Sequence, residues 1–540
     1  MPIKNQDIRN LYGGLDYRIV YNSESDSPYK DLQYDISQPL YWTSSKNVES
    51  FNGLLQPMKG NTPMLATPIS GGILGMFQYE VNNALYLMFN GGDGKFYQFN
   101  GAGIAPTVRN SGLNTTAKCN YTQYLQKMIV CNGVNDAFIY DGSVVTPTIT
   151  DTGLYAVRGV YGKVCCSYSN RLWIADGANL YYSDLGDPTQ WVDDPSTNKF
   201  GGYIDNFMGN TDSITGLYDF GVYMAIFTSN HIYLLTGNDV SNFAIEGFEE
   251  AGSSSPNGAL HFNGTHYFFN NINMNVNAIQ IGSGGWSNNA QSGSDTGQLN
   301  FGSSITDRIH IELASIMDIT SLQDIVFARY PNKNQIWMYF KQNNITDLSA
   351  AWVFDFQYFT TKGLIPIYLR EMTPANCAVE YNKQVYTGTS SSSSVPGQIY
   401  LEDSGNTISS IYGGNGTWYD FFVNFPKMEF GQSGLYKTIE SIKTMVNSTR
   451  TNNFNFNINY QGMYQHIDSK LINVSNNIFM LGTNSLGDGF VLGQNVDLPA
   501  IIPSGAEFNS IQVGVSGTTV QNDFGLRTFS FYNIQELQGI

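Results

Sequence analysis

Short apolar and aromatic runs alternate with turns rich in Asn, Gly and Asp along most of the chain. One such unit is "RLWIADGANLYYSDLGDPTQW", from Arg171 to Trp191. Its pattern predicts strands at 171–175 and 180–183, with turns at Asp176-Gly177 and Asp187-Pro188. In such turns Asp bonds its own backbone, Gly takes a positive φ and Pro presets φ. We therefore interpret the aspartates of this unit as turn residues rather than as carboxylates gathered for catalysis.

Similar hairpin units recur along the chain at intervals of 43, 44, 51, 44, 69 and 49 residues. The anchor positions of the seven units are Leu85, Met128, Leu172, Tyr223, Tyr267, Ile336 and Val385. A period of about 40–50 residues made of strands is typical of β-propeller blades. A lone hairpin leaves a strand edge and an apolar face exposed, and radial stacking buries those faces. The sequence predicts an all-β fold with a propeller of about seven blades, and six or eight blades remain open.

The longest interval contains a helical pattern, "SSITDRIHIELASIMDI", at 303–319. Its apolar positions are Ile309, Leu313, Ile316 and Met317. These positions recur at helical spacing, and Ser303 or Thr306 is placed to cap the start. We interpret the stretch at about 303–320 as a helical insertion between blades. An irregular strand in an unusually long blade is the alternative.

Three regions follow from these patterns. Residues 1–40 are predicted to form an N-terminal arm that docks or closes the ring as a strand. Residues 41–412 form the propeller. Residues 413–540 form a C-terminal β domain that resembles a sandwich, because segments such as "FNFNINYQGMY" alternate apolar and polar residues cleanly.

Charge and cysteine content exclude several classes of protein. The net charge is −17, and the 27 Lys and Arg residues form no basic run, so the chain lacks the means to neutralise many phosphates. Five cysteines without CxxC spacing argue against a disulfide framework and against a zinc site. The sequence predicts neither a cleaved signal peptide nor a membrane-spanning segment.

Candidate chemistry is sparse. The five histidines are His231, His261, His266, His310 and His466, and their spacing matches no metal-binding motif. Glu249 and Glu250 are adjacent and are interpreted as solvated. The sequence therefore predicts a protein that is not an enzyme, with no catalytic residue, no cofactor and no metal site. A glycosidase pair of carboxylates built across blades is the alternative, because sequence spacing does not reveal it.

Three stretches resemble a known family. They are Gly13-Gly14-Leu15-Asp16; Asn47-Val48, Gly53, Leu54 and Gly60; and Tyr182-Ser183, Gly186-Asp187-Pro188 and Trp191. They are similar to segments of the β-propeller tail nozzle (muzzle), or packaged-DNA stabilisation, proteins of short-tailed bacteriophages. Asp16 stands where the family tends to have Asn. About 60 residues carry the resemblance in detail, and elsewhere the likeness is one of architecture.

The resemblance implies a structural virion protein of a tailed phage, made in the host cytoplasm and located in the virion tail. Copies of the chain, usually six, would form a homo-oligomeric ring. On one side this ring would contact the adaptor or portal-side tail proteins, and on the other side the tail fibres or spike. Such a ring retains packaged DNA, holds it in its lumen without sequence-specific binding, and forms the distal exit channel for DNA ejection. Six copies would carry a net charge of −102, six times −17, and an acidic lumen lets DNA slide.

Two further hypotheses concern binding. Tyr12, Gly13, Gly14 and Leu15 are predicted to form a docking interface, because of their position and their aromatic-glycine character. The alternative function is a carbohydrate- or receptor-binding propeller for tail adhesion, with Trp286 in "GSGGWSNN" as a platform for sugar stacking. A propeller glycoside hydrolase is the less favoured alternative.

Overall fold

The computed structural model describes an all-β protein made of a propeller and a two-sheet sandwich. The described residues are 4–8, 42–51, 54–142, 147–205, 207, 212–221, 223–248, 251–282, 285–287, 304–357, 365–404, 420–425, 428, 436–448, 452–461, 466–474, 496–503, 507–508, 510–518 and 524–536. In this part of the chain, no helix is long and apolar enough to cross a membrane.

Five short strands open the chain, and they serve both domains. They are β1 (Lys4–Ile8), β2 (Ser44–Lys46), β3 (Val48–Phe51), β4 (Leu54–Pro57) and β5 (Asn61–Pro63). Strands β1, β2 and β4 pair with C-terminal strands of the sandwich, and β3 pairs with β4. Strand β5 pairs with the last strand of the propeller.

The first four blades are four-stranded antiparallel sheets. Blade 1 consists of β6 (Ile73–Val81), β7 (Ala84–Gly91), β8 (Lys95–Gln98) and β9 (Thr107–Ser111). Blade 2 consists of β10 (Asn120–Tyr124), β11 (Lys127–Cys131), β12 (Phe138–Asp141) and β13 (Thr148–Asp151). Blade 3 consists of β14 (Val164–Tyr168), β15 (Arg171–Asp176), β16 (Asn179–Tyr182) and β19 (Gly202–Ile204), with the small hairpin β17 (Asp193–Asp194) and β18 (Lys199–Phe200) inserted before β19. Blade 4 consists of β20 (Gly216–Asp219), β21 (Met224–Phe227), β22 (Ile232–Thr236) and β23 (Ala244–Phe248).

Three more blades complete seven such sheets within the described residues. Blade 5 consists of β24 (Ala259–Phe262), β25 (Thr265–Asn270), β26 (Asn275–Gly282) and β27 (Gly285–Ser287). Blade 6 consists of β28 (Val326–Tyr330), β29 (Gln335–Lys341), β30 (Leu348–Asp355) and β31 (Ile367–Ala375). Blade 7 takes β32 (Cys377–Tyr381), β33 (Gln384–Gly388) and β34 (Ile399–Glu402) from the end of the propeller and β5 from its beginning.

The ring is held together by apolar clusters between neighbouring blades. Blades 1 and 2 share Met88, Phe96, Met128 and Phe138. Comparable buried clusters join the other neighbouring blades around the ring, including blade 7 with blade 1. Because each blade buries its faces against its neighbours, closing the propeller also covers the faces of its first and last blades. Strand β5 provides that closure by joining the two ends of the propeller in one sheet.

The predicted repeat is confirmed strand by strand. Six of the seven anchors lie in the second strand of successive blades, and the seventh, Tyr223, lies one residue before the second strand of blade 4. In blade 3 the predicted hairpin is observed as β15 and β16, which pair around the turn at Asp176-Gly177. The number of blades therefore follows from the number of hairpin repeats.

The predicted helical insertion lies between blades 5 and 6. A 3-10 turn (Asp307–Ile309) leads into an α-helix (His310–Ile316), and a second 3-10 segment (Ile319–Asp324) follows. Ile309, Leu313 and Met317 are buried, and Ile316 packs against the same cluster. Thr306 precedes the first turn, but its side chain makes no capping hydrogen bond to it. Another short helix (Leu154–Arg158) precedes blade 3.

The C-terminal strands form two sheets. The strands after the propeller are β35 (Asp420–Asn424), β36 (Lys437–Thr438), β37 (Ser441–Ser448), β38 (Asn452–Gln461), β39 (His466–Val474), β40 (Val496–Pro503), β41 (Glu507–Phe508), β42 (Ser510–Thr518) and β43 (Phe524–Glu536). A five-stranded sheet contains β2, and an eight-stranded sheet contains β1, β3 and β4. Phe425 and Phe529 contact each other in the core between the sheets, with ring centroids 5.1 Å apart.

The sequence assigned residues 41–60 to the propeller, whereas the structure places β2, β3 and β4 in the sandwich sheets. The first propeller strand is β5, at Asn61–Pro63. Strands of three or four residues are too short to show a pattern that identifies their domain. Their pairing partners lie far away along the chain, since Ser44 pairs with Asn424.

Candidate functional site: the seam between propeller and sandwich

The predicted docking residues Tyr12, Gly13, Gly14 and Leu15 lie outside the described residues, as do Glu249 and Glu250. Trp286 lies in β27 opposite Ile281, and the position of its side chain is outside the described part. The structure does describe most of the other residues that carry the family resemblance. They converge on two places, a seam between the propeller and the sandwich and a turn in blade 3.

Asn47 is the hub of the seam, which we define as the contact between strands β2 to β4 and blade 6. Its backbone N–H donates to Leu369 O (2.9 Å), and its side-chain Nδ2 donates to Asp420 O (2.9 Å). Its Oδ1 accepts a hydrogen bond from Glu371 N (2.8 Å). Asn47 has a φ of 57°, in the left-handed region that Asn tolerates better than most residues. One side chain thus joins an N-terminal strand, a C-terminal strand and the outer strand of blade 6.

Apolar packing continues the seam. Trp42 is fully buried and stacks on Tyr368 of blade 6, with ring centroids 5.2 Å apart. A single buried cluster contains these residues together with core residues of blade 6 and of both sandwich sheets. A buried aromatic pair contributes its large apolar area and a further about 0.5–1.5 kcal/mol from ring geometry. The two domains therefore share one core.

A buried ion pair lies beside this core. Arg370 Nη2 lies 2.9 Å from Glu402 Oε2 and donates to Gly60 O (3.2 Å). The guanidinium also covers the face of Trp337 at 4.8 Å from the ring centroid. Glu402 accepts further hydrogen bonds from Asn61 and Thr387. The pair links blade 6 to blade 7 where β5 closes the ring.

A second buried charge cluster contains Lys333, Glu49, Asp403 and Tyr330, and we call it the lysine cluster. Lys333 Nζ lies 2.7 and 2.9 Å from the two oxygens of Glu49 and 2.7 Å from Asp403 Oδ2. Tyr330 donates to the same Asp403 oxygen (2.9 Å). The Lys333 side chain is 10% exposed, and each of the carboxylate side chains is 3% exposed. Burial alone would lower the pKa of Lys333, but Glu49 and Asp403 raise that pKa above its ordinary value.

Asp355 is a third buried acid in blade 6. Burial raises the pKa of Asp355 to about 7, although Gln357 N–H donates to its carboxylate. Gln335 Nε2 and Tyr368 Oη contact its other oxygen at 3.3 and 3.4 Å. Asp355 is fully buried. A perturbed carboxyl group enclosed in this way has no access for a substrate, so its chemistry concerns stability.

The blade 3 motif is a set of framework residues. Trp191 is fully buried and its Nε1 donates to Thr152 O (2.8 Å). Ser183 Oγ accepts from Leu172 N (3.0 Å). Asp187 caps its own turn by accepting from Thr189 N (3.1 Å) and pairs with Lys199 Nζ (2.9 Å). These contacts give the predicted turn-forming role of Asp187 a direct structural basis.

Two of the histidines lie together in blade 5. His261 and His266 lie opposite each other in the hairpin β24–β25, with ring centroids 4.6 Å apart. Burial, together with the neighbouring His261, lowers the pKa of His266 to about 4, and Phe220 stacks on its ring. Across the described residues, no group of three or more His, Cys, Asp or Glu side chains is arranged to hold a metal ion. All five cysteines are buried free thiols.

The sequence did not predict the lysine cluster or the Arg370–Glu402 pair. Each of these residues is a single charge within a β pattern, and Lys333 and Glu49 lie 284 positions apart in the chain. Asn47 and Gly60 were noted only for the resemblance. The only signal of these sites in the sequence was that charged residues are rare, at 13% of the chain.

Comparisons with known proteins give likenesses of fold. No protein-family model and no curated protein matches the chain. The chain is similar to the Cps50 (Swd1) β-propeller domain of Myceliophteria thermophila, with 6% identity, a TM-score of 0.40 and coverage of 64% of this chain and 99% of that one. It is similar to YCF48 bound to D1 peptide (8%, TM-score 0.36, 64% and 99%) and to the computationally designed Ika8 protein (8%, 0.34, 63% and 99%). The chain is an all-β protein built around a β-propeller.

Proposed function

We propose that the chain is a structural virion protein of a tailed phage, a subunit of a tail nozzle ring that retains packaged DNA and forms its distal exit channel. In this function no side chain performs covalent chemistry. The subunit has to keep its shape while neighbouring rings, fibres and moving DNA exert force on it. Its functional residues are therefore those that join its parts and those that contact neighbouring subunits.

The observation that carries the proposal is the position of the motif residues. Asn47 and Gly60, from the second stretch of resemblance, bind the N-terminal strands to blade 6. Ser183, Asp187 and Trp191, from the third stretch, hold the turn of blade 3. The resemblance thus rests on residues that build the framework, and such residues are what a family of architectural proteins has in common.

Charge supports the same function. The chain has a net charge of −17, and a ring of such subunits would surround DNA with like charge. Like charge weakens non-specific binding of phosphates and leaves the DNA free to move. A channel protein needs that property, whereas a DNA-binding protein needs the opposite one.

The first test is cryo-EM of the native particle that carries this chain. A coaxial ring of copies around a channel wide enough for DNA is the expected result. Copies attached singly at a peripheral fibre, or absent from the tail axis, would overturn the proposal. A glycan-array screen of the same protein is expected to give no tight hit, and a tight hit would favour the adhesion function instead.

The second test concerns the N-terminal docking interface. Deleting residues 1–20 would also remove β1, which pairs with β43, so point substitutions are the cleaner change. Tyr12→Ala with Leu15→Ala is expected to abolish incorporation into the ring and to leave the melting temperature unchanged. The matched control is Tyr155→Ala with Leu185→Ala, at exposed positions of the propeller (45% and 57% exposed). Normal incorporation of the first variant would remove the docking hypothesis.

A further inference from the structure

The central channel of the propeller opens into a cavity of about 180 Å³. All seven blades contribute to its wall, at or just before the start of their innermost strands. We call this cavity the channel mouth. Each innermost strand is the terminal strand of its sheet, so one of its edges faces the channel without a strand partner from its own blade. Some backbone groups at this edge bond to the next blade, since Cys119 N donates to Leu74 O and Phe327 N donates to Asn257 O. The mouth is therefore a recess at the axis of the propeller, lined by both apolar and polar groups.

The mouth has an excess of positive charge in an acidic protein. Lys118 of blade 2 and Lys163 of blade 3 line it, and both residues are exposed. Asp324 supplies the one carboxylate among the described residues of the wall. Its two oxygens lie 2.7 Å from Lys118 Nζ and 2.6 Å from Lys341 Nζ. Lys341 is not a wall residue, so the wall itself has two ammonium groups and one carboxylate. With Lys341, which pairs with the second oxygen of that carboxylate, three ammonium groups accompany one carboxylate at the mouth.

The other titratable groups of the wall carry no charge at neutral pH. Burial raises the pKa of Cys119 and of Cys377 to about 12, and it raises the pKa of Tyr121 well above its ordinary value. The carboxyl group of Asp324 stays ionised, because Lys118 and Lys341 lower its pKa more than partial burial raises it. The positive excess therefore persists across the neutral range.

Polar donors accompany the lysines. Asn120 lines the mouth, and its Oδ1 accepts a hydrogen bond from Cys165 N (2.9 Å). That contact orients the amide and leaves Nδ2 as a donor. Asn257, at the start of blade 5, lines the same mouth and is exposed. Ammonium and amide donors around a small recess are the groups that recognise oxyanions.

We propose that the channel mouth binds a compact dianion, inorganic phosphate or a short dicarboxylate, between Lys118 and Lys163. The cavity is smaller than the about 300–1,000 Å³ of pockets for drug-sized ligands, so it suits one such group. The bound anion neutralises the excess charge and bridges blades 2 and 3 at the axis. The anion site lies within one subunit, so it does not depend on the proposed assembly of subunits into a tail nozzle ring.

The test is isothermal titration calorimetry of the full chain with inorganic phosphate and, separately, with succinate, at neutral pH and constant ionic strength. Saturable binding of at least one probe is expected. Lys163→Gln is expected to weaken that binding at least about tenfold, the effect of losing one charge-assisted hydrogen bond. Which probe binds more tightly distinguishes a phosphate site from a carboxylate site.

The matched control is Lys383→Gln, which removes the same charge from an exposed hairpin turn of blade 7, between β32 and β33. That variant is expected to change the affinity by about twofold or less, because a distant charge acts only through screened Coulomb forces. Absence of saturable binding at millimolar concentrations of both probes would overturn the proposal. An equal loss in both variants would overturn it too, since binding would then follow net charge alone.

Discussion

Charged side chains gather at the seam and at the channel mouth, and the two places use them differently. At the seam, Lys333 is 10% exposed and lies within 3 Å of two carboxylates that are 3% exposed. At the mouth, Lys118 is 41% exposed and shares one carboxylate with Lys341. A buried charge that is fully paired specifies one arrangement of the chain, because any other arrangement leaves it desolvated and alone. An exposed charge in excess contributes little to folding and remains available to a ligand.

The largest effect is expected at the lysine cluster. Lys333→Met leaves Glu49 and Asp403 buried without their counter-ion, and removal of one partner of a buried ion pair costs about 3–5 kcal/mol. The free energy of unfolding, measured by urea denaturation with tryptophan fluorescence, checks this. Adding Glu49→Gln and Asp403→Asn to the same chain is expected to recover part of the loss.

The control for that comparison is Lys199→Met, which breaks the exposed pair with Asp187. Exposed pairs contribute little to stability, so this variant is expected to unfold at nearly the urea concentration of the parent. If the two lysine variants lose equal stability, burial is not what distinguishes the seam.

A smaller loss is expected for Asn47→Ala, about 2–3 kcal/mol. The change removes two side-chain hydrogen bonds at the seam and places Ala at a left-handed φ of 57°, which Ala tolerates less well than Asn or Gly. Asn47→Gly loses the same hydrogen bonds without the backbone strain and is expected to lose less. Equal melting temperatures of the two variants would show that strain contributes nothing there.

The pH dependence gives the next prediction. Burial raises the folded-state pKa of Asp355 to about 7, whereas an unfolded Asp titrates near about 3.9. Between these pH values the folded chain keeps a proton on Asp355 that the unfolded chain releases. The free energy of unfolding therefore decreases as pH rises from about 4 to 7. Asp355→Asn is expected to remove that slope and to be stabilised relative to the parent at pH 8 but not at pH 4.

The measurement is the difference in melting temperature between Asp355→Asn and the parent across this pH range. His266 acts in the opposite direction. Its folded-state pKa is lowered to about 4, so the folded protein loses stability as pH falls below about 6.5. That contribution is present in both proteins and cancels in the difference. A difference that stays constant with pH would contradict the assignment to Asp355.

The smallest effect is expected at the channel mouth. Lys163→Gln without added anion is expected to change the free energy of unfolding by less than about 0.5 kcal/mol, as for other exposed substitutions. Thermal denaturation in buffer free of phosphate checks this. A large loss of stability would place Lys163 with the buried charges of the seam rather than with a ligand site.

Local pattern was sufficient for the repeating part of the fold. The anchors at Leu85, Leu172 and Val385 fall in second strands of their blades, because a hairpin is encoded by adjacent strands and the turn between them. The helical insertion was recognised for the same reason, since Leu313 and Met317 lie one helical turn apart. Both features depend on residues that are neighbours in the chain.

Long-range contacts could not be predicted in this way. Strand β5 closes blade 7, where Asn61 pairs with Glu402, and no local pattern specifies a partner so far away. The same holds for Lys333 and Glu49 at the seam and for the lysines that meet at the channel mouth. Each is a single polar residue whose significance depends on what lies opposite it.

The sequence by itself determined the all-β class, the hairpin period and the acidic character of this protein, because these depend on composition and on neighbouring residues. Only the tertiary structure decided which strand closes the ring, which charges are buried in pairs and which remain exposed at the axis. The physical reason is that desolvation and pairing of a charge are set by the groups packed around it. In a closed propeller most of those groups come from other blades.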